Sequence, residues 1–468
     1  MGIYLGRTLR DLDTLRVSLE ASEANPTEGV VVFELFLSGV RSVRVQVPAS
    51  EMNVPASLKE ISAYSYRYTQ PEFAIPESVM TSLLDGMADR ANQDDPLWLE
   101  VDPPLCVLSI VPWESLLQPA LRTRLIRLSF FPASSYFPHW NTLDIVICAS
   151  SPKAKVSIAI ENAVPLLARQ ILETQKIRTT IHIFADAKVY DALKTALAPK
   201  IVPKGEHGVV LYDPAGAAQY EAPQRTRKVV DERDKVTNPW LRWMMDSLAG
   251  QTIDLVHFVC HGFLYTDQGA LALAQSPLVN NDENWARFVG PRQLNTFLDS
   301  VGAYSAAFCS PVYNYSIPAL RLFSEQLARL RPGVALLHTS HDDPTYEDLA
   351  STYEALYCGD RHNLTNWESS TTLYCSPKLI KTEELVSADP PESGGGGWQP
   401  VVIKSTFDPA TPKDHGTWVS SGFRWLERTA SEISSESSTS ESQASTKQAV
   451  EETLMFVSNV ISQYSLKK

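Results

Sequence analysis

Asp254-Leu255-Val256-His257-Phe258-Val259-Cys260-His261-Gly262, read with Tyr304-Ser305-Ala306-Ala307-Phe308-Cys309-Ser310, decides the fold of this 468-residue chain. Each stretch is a short apolar run of strand length that ends on a reactive side chain followed by a small residue. The first run delivers His261 and the second delivers Cys309, 48 positions later. Period-two alternation sends Cys260 to the face opposite His261, which predicts a core cysteine there. Nine histidines and six cysteines offer many other pairings, so the surrounding pattern has to support this one.

Working outward, strands and helices alternate from Leu143 onward. Leu143 to Cys148, Arg178 to Phe184 and Gly208 to Tyr212 read as strands, and Val334 to His338 as a later one. Helical spacing runs through Ile158–Thr174, Lys188–Leu197, Trp240–Leu248, Pro291–Leu298, Ile317–Leu330 and Tyr346–Tyr357, and Gly269 to Ala274 is a further apolar run. That alternation predicts an α/β fold with a mostly parallel sheet and helices on both faces. Ligands and chemistry in such sheets collect at the carboxyl ends of strands, where His261 and Cys309 are expected.

Residues 1–140 read as a smaller, strand-rich N-terminal lobe. Gly29 to Leu37 and Val43 to Val47 are joined through Ser38-Gly39, a helix is expected near Glu77–Ala91, and Pro96–Val101 and Leu105–Ile110 read as strands. Residues 141–383 form the core unit. Residues 384–468 form a C-terminal extension with a glycine-rich linker at Gly394–Gly397 and a serine- and glutamate-rich stretch at Ser431–Gln448. It ends on an amphipathic segment, Ala449–Leu466, expected to dock on this chain or on a partner. The charged stretch Arg225–Lys235 reads as a solvated loop, with a regulatory or self-cleavage segment as the alternative.

The totals exclude several classes. A net charge of −13 argues against broad nucleic-acid binding, which needs a basic face. The cysteines, at 106, 148, 260, 309, 358 and 375, contain no C-x-x-C pair, so neither a disulfide framework nor a zinc knuckle is indicated. No Walker loop or Rossmann glycine fingerprint is present, and no cofactor or metal is expected; His338 and His341 alone do not make a metal site. No apolar run approaches a bilayer span and Met1–Leu15 has no secretory core, so no membrane partner and a cytoplasmic location are expected.

These residues together carry a family resemblance. Asp254–Gly262, Gly269-Ala270-Leu271 and Phe308-Cys309-Ser310, followed by a helix and an apolar strand, resemble the CHAT domain of the caspase–separase superfamily. A histidine about 50 residues upstream of a cysteine is the spacing of caspase-like cysteine proteases. Pro112-Trp113-Glu114 is similar to the motif that precedes the CHAT core, and Glu161 sits where its first helix commonly carries Glu. The resemblance covers roughly residues 105 to 358 and implies a caspase-like fold. Ser310-Pro311-Val312-Tyr313 departs from the small residues that usually follow the family's cysteine.

The resemblance implies a cysteine endopeptidase that cuts a protein substrate, an effector in a prokaryotic-type defence or conflict system under a regulatory protein partner. Cys309 would be the nucleophile and His261 the general acid–base toward the leaving nitrogen. Backbone N–H groups of Gly262 and Cys309 would hold the oxyanion. Asp342 and Asp343, just past the strand after the nucleophile, are candidates for binding a basic substrate residue; the commoner role in Asp342-Asp343-Pro344 is a helix cap. The alternative, from a different class, is a catalytically inactive CHAT-fold scaffold or adaptor, supported by the unusual run after Cys309.

Overall fold

The computed structural model describes residues 12–377, apart from 22–28, 56–71, 91–94, 103–106, 129–141, 155, 221–228, 233, 266–267, 279–284, 310–315, 332, 359–363 and 365. The expected C-terminal linkers and final helix, the run 310–313 and part of the charged loop 225–235 lie outside the described residues.

Alternation builds the N-terminal strands. In β1 (Thr14–Ala21), Leu15 and Val17 turn inward while Arg16 and Glu20 turn outward. It pairs antiparallel with β2 (Gly29–Leu37), which pairs antiparallel with β3 (Val40–Pro48). The β2–β3 turn holds Ser38 and Gly39 at positive φ, the geometry a two-residue hairpin favours. Helix α1 (Glu77–Met87) follows, then β4 (Leu97–Val101). Leu108–Ile110 is a 3-10 turn and not the strand expected there. The reason is local: the Val111 N–H and the Trp113 indole N–H both donate to the Leu108 carbonyl, which curls the chain into α2 (Trp113–Leu121). β5 (Leu125–Leu128) closes this part.

The core follows as expected from the α/β alternation. In order come β6 (Thr142–Ala149), α3 (Ile160–Thr174), β7 (Arg178–Ala185), α4 (Ala187–Leu197), β8 (Gly208–Leu211), α5 (Pro239–Ser247) and β9 (Leu255–Val259). Next are β10 (His261–Tyr265), β11 (Gln268–Ala274), β12 (Ala286–Val289), α6 (Pro291–Ser300) and β13 (Ser305–Cys309). The chain ends, within the described residues, with α7 (Ile317–Leu330), β14 (Ala335–His338), α8 (Glu347–Cys358) and β15 (Thr371–Cys375).

Twelve strands form one sheet in the order β3-β2-β1-β4-β5-β15-β14-β13-β9-β6-β7-β8, and β10, β11 and β12 form a second, antiparallel sheet. The large sheet is parallel at every contact except β3–β2, β2–β1 and β15–β14. The strands of the N-terminal lobe join the core sheet through the β5–β15 pairing. One face of the core carries α3, α4 and α8 over Leu255, Val259, Ala307 and Cys309. The other carries α5, α6 and α7 over Val256, Phe258, Ala306 and Phe308. Helix α7 also touches the N-terminal core through Ala319 and Leu322, so it joins both halves. Among the described residues no helix is long and apolar enough to cross a membrane.

Candidate functional site

The parallel register sets the stage. Cys309 is the last residue of β13 and lies opposite Val259, the last of β9, and opposite His338, the last of β14. The strand ends thus form a row in the middle of the sheet, the position where α/β sheets place their chemistry. His261 is not the last residue of β9. The chain bends at Cys260, and His261 opens β10 opposite Ala272. Cys260 points into the α5–α7 core, as alternation predicted.

His261 is buried, and both of its ring nitrogens are engaged. Nε2 lies 2.9 Å from the Val156 carbonyl and Nδ1 lies 3.0 Å from the Ser316 hydroxyl. A carbonyl can only accept, so Nε2 carries the proton and the neutral ring presents Nδ1 as a base. Burial pushes its pKa down to about 4, against the stabilising pull of the Val156 carbonyl on the protonated ring. Val156 belongs to the loop between β6 and α3, whose ends are tied by Ser151: its hydroxyl accepts from the Ile158 N–H at 3.0 Å.

Cys309 is fully buried, and the same desolvation raises its thiol pKa. Its sulfur lies 3.3 Å from Nε2 of His257. The other nitrogen of His257, Nδ1, lies 2.6 Å from the Tyr353 hydroxyl on α8. Burial, with His338 nearby, pushes the His257 pKa down to about 3, so this ring is neutral as well. Among the described residues, the sulfur thus meets a neutral imidazole, backed by the Tyr353 hydroxyl, on the α8 side of the sheet.

His257, Tyr353, Ser316 and Val156 were not among the residues expected at the site. Alternation held part of the signal, since His257 shares a face with Leu255 and Val259. Placing it beside Cys309 required the β9–β13 register. Ser316 precedes a helix with Pro318 in its first turn, the pattern of a capping serine, so its own sequence context carries no signal of a contact with His261.

Gly262 packs tightly on α7. A Cβ there would lie 2.6 Å from the Ser316 carbonyl and 2.9 Å from Ala319 Cβ. Close approach of β10 to the helix thus requires glycine at this position. Asp343 is buried at the start of α8: its carboxylate accepts from the N–H groups of Glu347 and Leu349 at 3.1 and 3.2 Å and meets His338 Nε2 at 3.1 Å. Asp342 is exposed on the same loop. His341 is exposed and His338 buried, and among the described residues no group of three or more His, Cys, Asp or Glu side chains is placed to hold a metal.

Pro112-Trp113-Glu114 anchors α2 to the sheet. Trp113 is buried against Phe33, and Glu114 receives both arms of the Arg127 guanidinium at 2.7 and 3.1 Å. Arg127 also reaches Glu325 on α7 at 3.4 Å and lies over the Tyr374 ring on β15. Glu161 is exposed in the first turn of α3. No protein-family model, curated protein or solved structure matches the chain.

Proposed function

We propose that the chain is a caspase-like cysteine endopeptidase of the CHAT type that cuts a partner protein, with Cys309 as nucleophile and His261 as general acid–base. The observation that carries this reading is the orientation of His261. The Val156 carbonyl holds the Nε2 proton, which leaves Nδ1 as the basic atom, two residues beyond the strand that neighbours Cys309. A base oriented by a third group is what nucleophilic catalysis requires.

In the reaction the Cys309 thiol gives its proton to His261 Nδ1, and the thiolate attacks the scissile carbonyl. Collapse of the tetrahedral intermediate breaks the C–N bond, and the imidazolium returns the proton to the leaving amine. Water then hydrolyses the thioester with His261 as base. The N–H groups of Gly262 and Cys309 are the proposed oxyanion donors. Of the two acids after β14, Asp342 is the better candidate for a basic substrate residue, because Asp343 is committed to α8 and His338. A defence or conflict role with an activating partner follows from the family resemblance.

The second reading is an adaptor on the same fold. Its support is the full burial of Cys309 with a raised thiol pKa, the state of an inert core cysteine. The test incubates the intact chain, Cys309→Ala and His261→Ala with proteins encoded nearby and maps new N-termini by mass spectrometry. Cleavage by the wild type alone supports the peptidase. Cleavage that survives Cys309→Ala overturns it, and equal binding without cleavage in all three, and in Ser316→Ala, which frees His261 Nδ1, selects the adaptor.

A further inference from the structure

Both members of the proposed dyad are held by residues of other elements. Ser316 stands directly before α7, where a serine ordinarily turns its hydroxyl onto an N–H of the first helical turn. Here its backbone is helical (φ −85°, ψ −24°), its side chain makes no cap bond, and its Oγ lies 3.0 Å from His261 Nδ1. Because Nε2–H is committed to Val156, the Ser316 O–H donates to Nδ1 and occupies the lone pair that would take the thiol proton. Ser316 is fully buried, so water does not compete for this bond.

Cys309 is held on the α8 side of the sheet. Its sulfur faces His257, and Tyr353 fixes the far nitrogen of that ring. Among the described residues, the other titratable groups that act on Cys309, His257 or Tyr353 are His338 on β14, Tyr346 just before α8, Tyr357 on α8 and Cys260 after β9.

We infer that Ser316 and the His257–Tyr353 pair are positioning residues that keep His261 and Cys309 on separate hydrogen-bond partners, so that the dyad works only after both bonds are exchanged for one between Cys309 Sγ and His261 Nδ1. This deepens the peptidase reading and rests on it. The exchange is balanced: the Ser316 O–H leaves Nδ1, the sulfur leaves His257, and the thiol proton passes to Nδ1. A thiolate and an imidazolium result, with no change in net charge and no further reactant.

The test is the alkylation rate of Cys309 by iodoacetamide in the intact chain at pH 7, read peptide by peptide by mass spectrometry. Wild type is compared with Ser316→Ala, Ser316→Thr, Tyr353→Phe and the double variant Ser316→Ala/His261→Ala. Freeing the base raises the thiolate fraction, so Ser316→Ala is expected to speed alkylation by about tenfold or more. Ser316→Thr, which keeps the hydroxyl, is expected to return the rate toward wild type, and loss of His261 to abolish the gain. Tyr353→Phe is expected to give a gain of its own. The buried Cys148, Cys260 and Cys375 gauge general loosening. An unchanged Cys309 rate in Ser316→Ala, or a rise shared by those three cysteines, overturns the inference. Cleavage assays on the same proteins separate the two readings. A His261-dependent gain in alkylation without proteolysis removes the peptidase and leaves the latch. Wild-type proteolysis as fast as that of Ser316→Ala removes the latch and leaves the peptidase.

Discussion

At Cys309 and His261, burial sets the chemistry of each group before any charged neighbour does. The same cause acts at Asp186, between β7 and α4, where desolvation raises the carboxyl pKa to about 7 although the Ser151 N–H donates to it at 2.8 Å. A carboxyl whose folded pKa lies above its ordinary 3.8 favours folding at low pH, and that contribution is lost as pH rises through about 7. Asp186→Asn is therefore expected to be more stable than wild type at pH 8, by about 1–3 kcal/mol, with the gain gone at pH 4. Urea midpoints at the two pH values check this, and a variant less stable at pH 8 refutes it. Gly262 makes a second residue-scale prediction. Gly262→Ala forces a methyl against the Ser316 carbonyl and Ala319, and overpacking of that kind costs about 1–3 kcal/mol. Denaturation at pH 7 measures it, and unchanged stability would mean that β10 and α7 separate freely.

Single elements show how local chemistry divides between structure and function. The start of α8 depends on Asp343, which serves two helix N–H groups and His338 with one carboxylate. Desolvation pushes its pKa up, but the His338 and Leu349 hydrogen bonds outweigh this and hold it below 3.8. The stabilisation is thus present above the ordinary carboxylate range and is lost as pH falls through the depressed value. Asp343→Ala is expected to cost about 1–2 kcal/mol at neutral pH and progressively less below pH 4. Thermal melts across pH test it; a cost that grows on acidification would contradict the capping role. The strongly periodic elements, α3, α7, β7 and β9 among them, were legible because their own side chains carry the pattern. β15 and β5 were not, since four or five residues that mix apolar side chains with Arg127, or with Thr371 and Thr372, are uninformative until a neighbouring strand claims them.

Across the molecule, the buried pair Glu114–Arg127 ties the N-terminal strands to α7 and β15. Burial works against ionisation of Glu114 and Glu325 alike; Arg127 outweighs it at Glu114, whose pKa falls, and not at Glu325, whose pKa rises. Arg127→Ala leaves two buried carboxyl groups without their common partner, a loss of about 3–5 kcal/mol by the usual cost of breaking a buried ion pair. The double variant Glu114→Leu/Arg127→Met is expected to lose less than Arg127→Ala, which chemical denaturation of the intact chain can resolve. A larger loss in the double variant would remove the charge argument. The boundary near residue 140 is similarly a matter of the whole. Composition separates a strand-rich stretch from an alternating one, yet hydrogen bonds between β5 and β15 make one sheet of the two.

By itself the sequence determined the α/β alternation, the largely parallel core, and the arrival of Cys309 and His261 near the carboxyl ends of neighbouring strands. Those properties follow from periodicity and chain order, which are local. Only the tertiary structure decided which groups meet: Cys309 with His257, His261 with Ser316 and Val156, Glu114 with Arg127. Those contacts depend on strand register and on the seating of α7 and α8, and neither is written in the spacing of any one segment.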